Sequence, residues 1–191
     1  FGPDMWNQIG HRGMGGVGWN KTGMRMQQYT MMLETLLGGS AGKEFGFGKE
    51  GITLTSGHRT RDQQKSGMMK LESLGVYRKE MRDYLRQKAI EQERPEDLYL
   101  NSPVPKKGEL NSARDTAVEL LLDRFKGTDF FQHMHGSAID FAWPRGFTAK
   151  QFPRLKKMIE GALPGTKLLS HDGHLHLQRN IHAGADALNQ G

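Results

Sequence analysis

Three of the chain's eight histidines fall within six residues of "SHDGHLHLQ", Ser170–Gln178, at positions 171, 174 and 176. Imidazoles this close suit metal ligation or proton transfer, because a neutral ring has a lone pair on one nitrogen and a proton on the other. Alternation along a strand puts His174, His176 and Gln178 on one face and Leu175 and Leu177 on the other. With the leucines in a core, both imidazoles project outward over a sheet. A second stretch, "HMHGSAIDF", supplies complementary groups. Asp140 lies on the small-residue face of an alternating run whose Ile139 and Phe141 point the other way. His133 arrives from the loop just before Gly136, and on alternation His135 points away. Two such strands side by side bring neutral and anionic ligands to one point.

That donor set narrows the chemistry. The chain has no cysteine, so disulfides and thiolate zinc sites are excluded and a transition metal must use His, Asp or Glu. A structural zinc closes four positions, often with Cys. A catalytic zinc takes three His, Asp or Glu ligands and leaves a fourth position for water. Position along the strand does not choose between His174 and His176 as ligand, since both share a face about 7 Å apart. The one left over sits beside the metal as a general acid or base.

The elements that must carry these residues can be read from pattern and punctuation. "GITLTSGHRT" has a β-branched run, Ile52–Thr55, that predicts a strand delivering His58 and Arg59 into a loop. "GSAIDFAW" predicts a strand over 136–143, and "TKLLS" with "HLHLQ" a final strand or hairpin. "MRMQQYTMMLETLLGG" predicts a helix with Met24, Gln28, Met31, Leu33 and Leu37 at roughly helical spacing and a glycine cap at Gly38-Gly39. Thr148 and Gln151 form a capping box for a helix whose stripe is Phe152, Leu155, Ile159 and Leu163, ended by Pro164-Gly165. "NSARDTAVELLLDRFKG" predicts a core helix capped by Ser112, with Val118, Leu121, Leu122 and Phe125 as its apolar stripe. Between Arg61 and Lys126 the sequence is helical and charged, as in "YRKEMRDYLRQKAIEQERPEDL", and reads as solvated helix surface. These elements predict an α+β fold with a small, mainly antiparallel sheet packed with helices and a helical insertion at about 66–127. A glycine-rich arm over 1–23 precedes a domain over 24–182, and a loose tail covers 183–191. The arm's glycines do not make a phosphate loop, because Lys21-Thr22 follows Asn20 rather than Gly.

At 191 residues, 36% hydrophobic and 25% charged, the composition is that of a globular domain, and no apolar run approaches the length of a membrane span. The net charge of +6 points to an anionic partner: nucleic acid, a phosphate-bearing cell-wall polymer or an acidic membrane surface. No interleaved aromatic and basic run or docking motif favours nucleic acid. The start, "FGPDMWNQ", has neither an initiator Met nor a signal peptide, as expected of a processed product or a piece of a larger protein.

In chain order, "SGHRT", "HMHGSAID" and "HDGHLHL" fit Ser-Gly-x-Arg, His-x-x-Gly-x-Ala-x-Asp and His-x-x-His-x-His. The ordered set resembles the LAS metallopeptidases, a group that includes zinc D-Ala-D-Ala carboxypeptidases, penicillin-insensitive murein endopeptidases, phage endolysin peptidases and the hedgehog domain fold. The resemblance implies that His133, Asp140 and His176 are zinc ligands. It makes His174 the base that takes a proton from the attacking water, and His171 the group that steadies the oxyanion or substrate. Arg59 matches the arginine that faces the substrate's carbonyl or carboxylate. The implied activity is zinc-dependent hydrolysis of a peptide bond in peptidoglycan, outside the cytoplasm, by a virion-associated lysin domain or a periplasmic enzyme. A zinc-stabilised module of the same fold that has lost turnover is the alternative. The sequence departs from the group at Phe131, where many members have Ser, and at His58, where an aromatic is common. Asp172 competes for the base role, but it lies four residues before His176, and Gly173 occupies the usual place, three residues before that ligand.

Overall fold

A computed structural model of the protein describes residues 22–49, 51–72, 94–126, 129–171 and 173–179. Nearly all of the glycine-rich arm, most of the charged run before Pro95, Asp172 and the C-terminal tail lie outside the described residues. The chain forms two compact units, one from Phe1–Arg59 with Gln132–Gly191 and the other from Thr60–Phe131.

The first unit holds a four-stranded sheet in the order β1-β2-β4-β3, from β1 (Leu54–Ser56), β2 (Ala138–Ala142), β3 (Thr166–His171) and β4 (His174–Arg179). Every neighbouring pair is antiparallel. One face is greasy: Leu54, Ile139, Phe141, Leu168, Leu175 and Leu177 are at most 2% exposed and belong to one core. Each such side chain removed from water stabilises the fold by roughly 1.5–3 kcal/mol. That term fixes which face of each strand turns inward, and so which face is left for the polar groups.

Helix α1 (Met24–Gly38) joins this core through Met26, Met31, Leu33 and Leu37. Met24, expected in its stripe, is 74% exposed; the buried row Met26, Thr30, Leu33 and Leu37 starts two residues later and keeps a closer helical spacing. Gly39 ends the helix in an extended rather than left-handed conformation, and α2 (Ser40–Lys43) follows at once. Gly42 has to be glycine, since a Cβ there would meet the Leu37 carbonyl oxygen at 1.8 Å. The Thr148–Gln151 capping box is present and opens a 3-10 turn, Ala149–Gln151, that leads into a helix over Phe152–Ala162. Leu155, Ile159 and Leu163 of its stripe are buried. Pro164 and Gly165, the latter at φ 79°, turn the chain into β3.

In the second unit α3 (Arg61–Lys70) starts from a capping box between Thr60 and Gln63. It is followed by α4 (Pro95–Asn101) and α5 (Ser112–Arg124). The helix over Phe152–Ala162 is accordingly α6. Asn111, not Ser112, caps α5: its side-chain oxygen accepts from the Arg114 backbone N–H at 3.0 Å. An Asx side chain at the extended position satisfies one of the free amides of the first turn, here that of the third helical residue, which puts Ser112 inside the helix. Val118, Leu121, Leu122 and Phe125 are buried as the stripe predicts. Arg114, also fully buried, donates to the carbonyls of Met69, Tyr99 and Ser102, with its guanidinium 3.9 Å from the centre of the Tyr99 ring. Among the described residues no helix is long and apolar enough to cross a membrane.

Candidate metal centre

Sheet register sets the site. Asp140 pairs with His176 across β2 and β4, flanked by Ala138 with Gln178 and Ala142 with His174. Residues directly opposite share a face, so Asp140, His174, His176 and Gln178 line up on the side away from the core. On the other side of β2, a register shift between Leu54 and Ser56 places Leu54 opposite Phe141 on the core face but Ser56 opposite Asp140. An extra residue in one strand flips the side chains beyond it to the other face, and this bulge turns Ser56 toward the polar side.

His133 comes from a 3-10 segment, Asp129–His135, broken at Phe131. Its end is tied back by Gly136 N–H and Arg59 N–H to the His133 carbonyl, at 3.2 and 3.0 Å, and by Ser137 N–H to the Gln132 carbonyl at 3.0 Å. Gly136, at φ 66°, makes the turn that lets a loop histidine reach the strand beyond it.

The three residues converge. His176 Nδ1 lies 2.8 Å and His133 Nε2 3.1 Å from Asp140 Oδ1, and the two ring nitrogens are 3.2 Å apart. Exposure is 4% for His133, 4% for Asp140 and 2% for His176. The outward-facing expectation is corrected for His176: it leaves the core on the polar face, yet His133 and its loop accompany it, and His176 is buried.

The opposite nitrogens decide what this geometry means. His133 Nδ1 is 2.7 Å from the carbonyl oxygen of Gly57, which can only accept, so Nδ1 carries the proton and Nε2 bears the lone pair. His176 Nε2 donates in the same way to Gln178 Oε1 at 2.9 Å, leaving Nδ1 with the lone pair. In their neutral forms the two rings therefore turn lone pairs toward the carboxylate oxygen of Asp140. Burial, the largest effect on His133, pushes its pKa down and favours the neutral ring. A cation at the centre resolves this crowding of electron pairs. Two nitrogens on one tetrahedral zinc stand about 3.3 Å apart, close to the separation here. The His133, Asp140 and His176 atoms can hold a metal ion.

Arg59 contacts the far oxygen of the same carboxylate. Its Nη2 is 2.9 Å from Asp140 Oδ2, and its Nε donates to Ser56 Oγ at 2.9 Å. The guanidinium, expected to face a substrate, here faces the ligand carboxylate. His171 and His174 oppose each other as the last pair of the β3–β4 hairpin, with ring centres 4.9 Å apart, and His171 lies 5.9 Å from the His176 ring. Burial and the neighbouring histidines lower the pKa of His171 to about 4. His135 is exposed, and His58, whose backbone N–H donates to Thr22 Oγ1, is half-buried. Ala142, opposite His174, also lines a cavity of about 260 Å³ with Phe47, Gly51, Trp143 and Arg145.

Three participants carry no role in the sequence pattern: Gln178, Ser56 and the Gly57 carbonyl. Gln178 does leave a signal, since alternation puts it on the face of His176. Ser56 stands in the Ser-Gly-x-Arg motif, but the motif gives it no role, because the bulge that turns it is a tertiary feature.

Fold and site together define an α+β protein with a buried His-Asp-His cluster able to hold a metal ion. Comparison with known proteins found no matching family model, no similar curated protein and no similar solved structure.

Proposed function

We propose that the protein is a zinc-dependent peptidase that cleaves a peptide bond of peptidoglycan, as its resemblance to the LAS metallopeptidases implies. The observation that carries this reading is the convergence of His133 Nε2, Asp140 Oδ1 and His176 Nδ1, each histidine held in the ligating tautomer by a hydrogen bond on its other nitrogen. Three protein donors leave a tetrahedral ion one free position, which favours a catalytic over a closed structural site. Zinc there would supply a Lewis acid that acidifies water and polarises a carbonyl.

The chain's own groups supply the rest. His174, on the same face one alternation from His176, takes the proton from the attacking water and passes it to the leaving amine. His171, 4.9 Å from His174 between ring centres, steadies the charge that develops on the scissile carbonyl oxygen. Arg59 holds Asp140 from its outer oxygen and presents the remainder of its guanidinium to a substrate carboxylate. The cavity beside Ala142 offers room for a substrate residue at the His174 end. A net charge of +6 suits an anionic wall, and the site of action is extracytoplasmic, in a virion-associated lysin domain or a periplasmic enzyme.

The test is mass spectrometry of muropeptides released from purified peptidoglycan, with and without a chelator. New peptide termini that vanish with chelation and return with zinc support the reading. A wall left intact at full zinc loading overturns it. A module that keeps zinc for stability but has lost turnover is the second reading, favoured by the Arg59–Asp140 pair, which commits part of the substrate-facing arginine to the metal ligand.

A further inference from the structure

Beyond the primary cluster, the described residues hold one more pair of facing imidazoles. His171 and His174 are cross-strand partners at the end of the β3–β4 hairpin, where Gly173, at φ 79°, closes the turn. Their ring centres are 4.9 Å apart, the same separation as between the cluster histidines His133 and His176. Two imidazoles that bind one tetrahedral ion at about 2.0–2.1 Å per nitrogen have ring centres about 5 Å apart. The hairpin therefore holds the second pair at chelating separation before any ion arrives.

Hydrogen bonding separates the two pairs. His133 and His176 have both ring nitrogens committed, whereas among the described residues the rings of His171 and His174 have no hydrogen-bond partner. Both are half-buried and keep a solvent path. Imidazoles so placed have lone pairs free for a borderline-soft divalent ion.

We propose that His171 and His174 form a second, weaker zinc site beside the His133–Asp140–His176 centre, with water completing the coordination. Among the described residues two protein ligands serve it, and the first site would place a cation close by, so it fills after the first. Where the peptidase reading holds, on which this consequence rests, the second ion occupies the two groups assigned to proton and charge transfer. Zinc then activates at one equivalent and inhibits toward two.

The experiment titrates zinc into metal-stripped full-length protein by equilibrium dialysis with metal analysis, and follows the histidine ring nitrogens by NMR. Expected are two equivalents in the wild type, the second removed by His171→Gln or His174→Gln and kept in His135→Ala. In the unmodified protein the second equivalent should move the His171 and His174 ring signals after those of His133 and His176 have settled, a readout that holds even if a variant does not fold. A single equivalent, a second one that survives both Gln substitutions, or rings that do not move would overturn the site. Peptidoglycan hydrolysis measured in the same titration should fall on the order of 100-fold between one and two equivalents. Two bound equivalents with undiminished hydrolysis overturn the inhibition alone, and two equivalents with no hydrolysis at any loading overturn the peptidase reading while the second site stands.

Discussion

Asp140 and His176 face each other across β2 and β4 with Oδ1 and Nδ1 2.8 Å apart, and Asp140 also meets a histidine seven residues before it in the chain. Asp140→Ala or His176→Ala therefore removes a donor from a three-donor set. Each variant should lose stoichiometric zinc by metal analysis and lose hydrolysis with it. Zinc at 100 times its dissociation constant stabilises the native state by about 2.7 kcal/mol, so the wild type should melt earlier with chelator. In the two variants that shift should fall to what the weaker His171–His174 pair contributes. Hydrolysis that persists in metal-free His176→Ala would sink the metal mechanism.

Gln178 would act on a bound metal through His176. Its Oε1 accepts from His176 Nε2 at 2.9 Å within a site where Gln178 itself is 6% exposed. Gln178→Leu leaves that N–H buried without an acceptor and frees the ring to change tautomer. Zinc affinity should fall 10–100-fold, as is usual for lost outer-shell partners. Gln178→Glu restores an acceptor and should recover most of the affinity. Equal affinities in wild type and Gln178→Leu would show that the bond does not orient the ring.

Much of this centre was legible in the sequence because strand alternation is local. Leu175 and Leu177 against His174 and His176, and Ile139 and Phe141 against Asp140, follow from a period of two once each stretch is a strand. The α+β class followed in the same way from where periods of two and 3.6 change over. The pairing of Asp140 with His176 needed the sheet order, which local pattern does not contain. His133 joins through a 3-10 segment and the φ 66° turn at Gly136, and the Ser56 bulge depends on how β1 meets β2. The same limit explains the ends of helices: Asn111 and Ser112 are both good caps, and one residue of backbone conformation decides between them.

His174 tests the division between binding and turnover. It shares the polar face with His176, but its ring has no bond to the cluster among the described residues. His174→Ala should keep the tight zinc equivalent and lose 10²–10⁴-fold in hydrolysis, the usual range for a positioned acid or base. Metal analysis beside initial rates measures both. Loss of the tight zinc would make His174 a ligand instead.

Acid should weaken the second unit through Glu119. Lys65 Nζ is 2.8 Å from Glu119 Oε1, Arg61 also bonds that carboxylate, and these two hydrogen bonds hold the Glu119 pKa below its usual 4.5. A carboxyl whose pKa is depressed by folding contributes stability above its unfolded pKa and loses it as pH falls through the folded one. The urea midpoint should drop between about pH 5 and pH 3, and Glu119→Gln should flatten part of that slope. The side chain is 39% exposed, so the effect is modest and 1 M salt should shrink it. Identical pH slopes in wild type and variant would remove Glu119 as a contributor.

Arg59 separates two accounts of one residue. A guanidinium that serves only the substrate would leave zinc affinity unchanged when removed and would raise KM. Here its Nη2 lies 2.9 Å from Asp140 Oδ2, with the carboxylate 5% exposed and Ser56 Oγ holding the guanidinium from the other side. Taking away the half-buried partner of a buried carboxylate leaves that carboxylate without the bond that fixes its plane. Arg59→Ala should therefore weaken zinc binding by about 10–100-fold as well as raise KM, and Ser56→Ala should give a smaller loss in the same direction. Arg59→Lys keeps the charge but cannot bond Asp140 and Ser56 in the same fork, so it should recover only part of the affinity. Zinc dissociation constants for the three variants, read beside KM at saturating zinc, decide between the accounts: unchanged zinc affinity in Arg59→Ala would leave the arginine to the substrate alone.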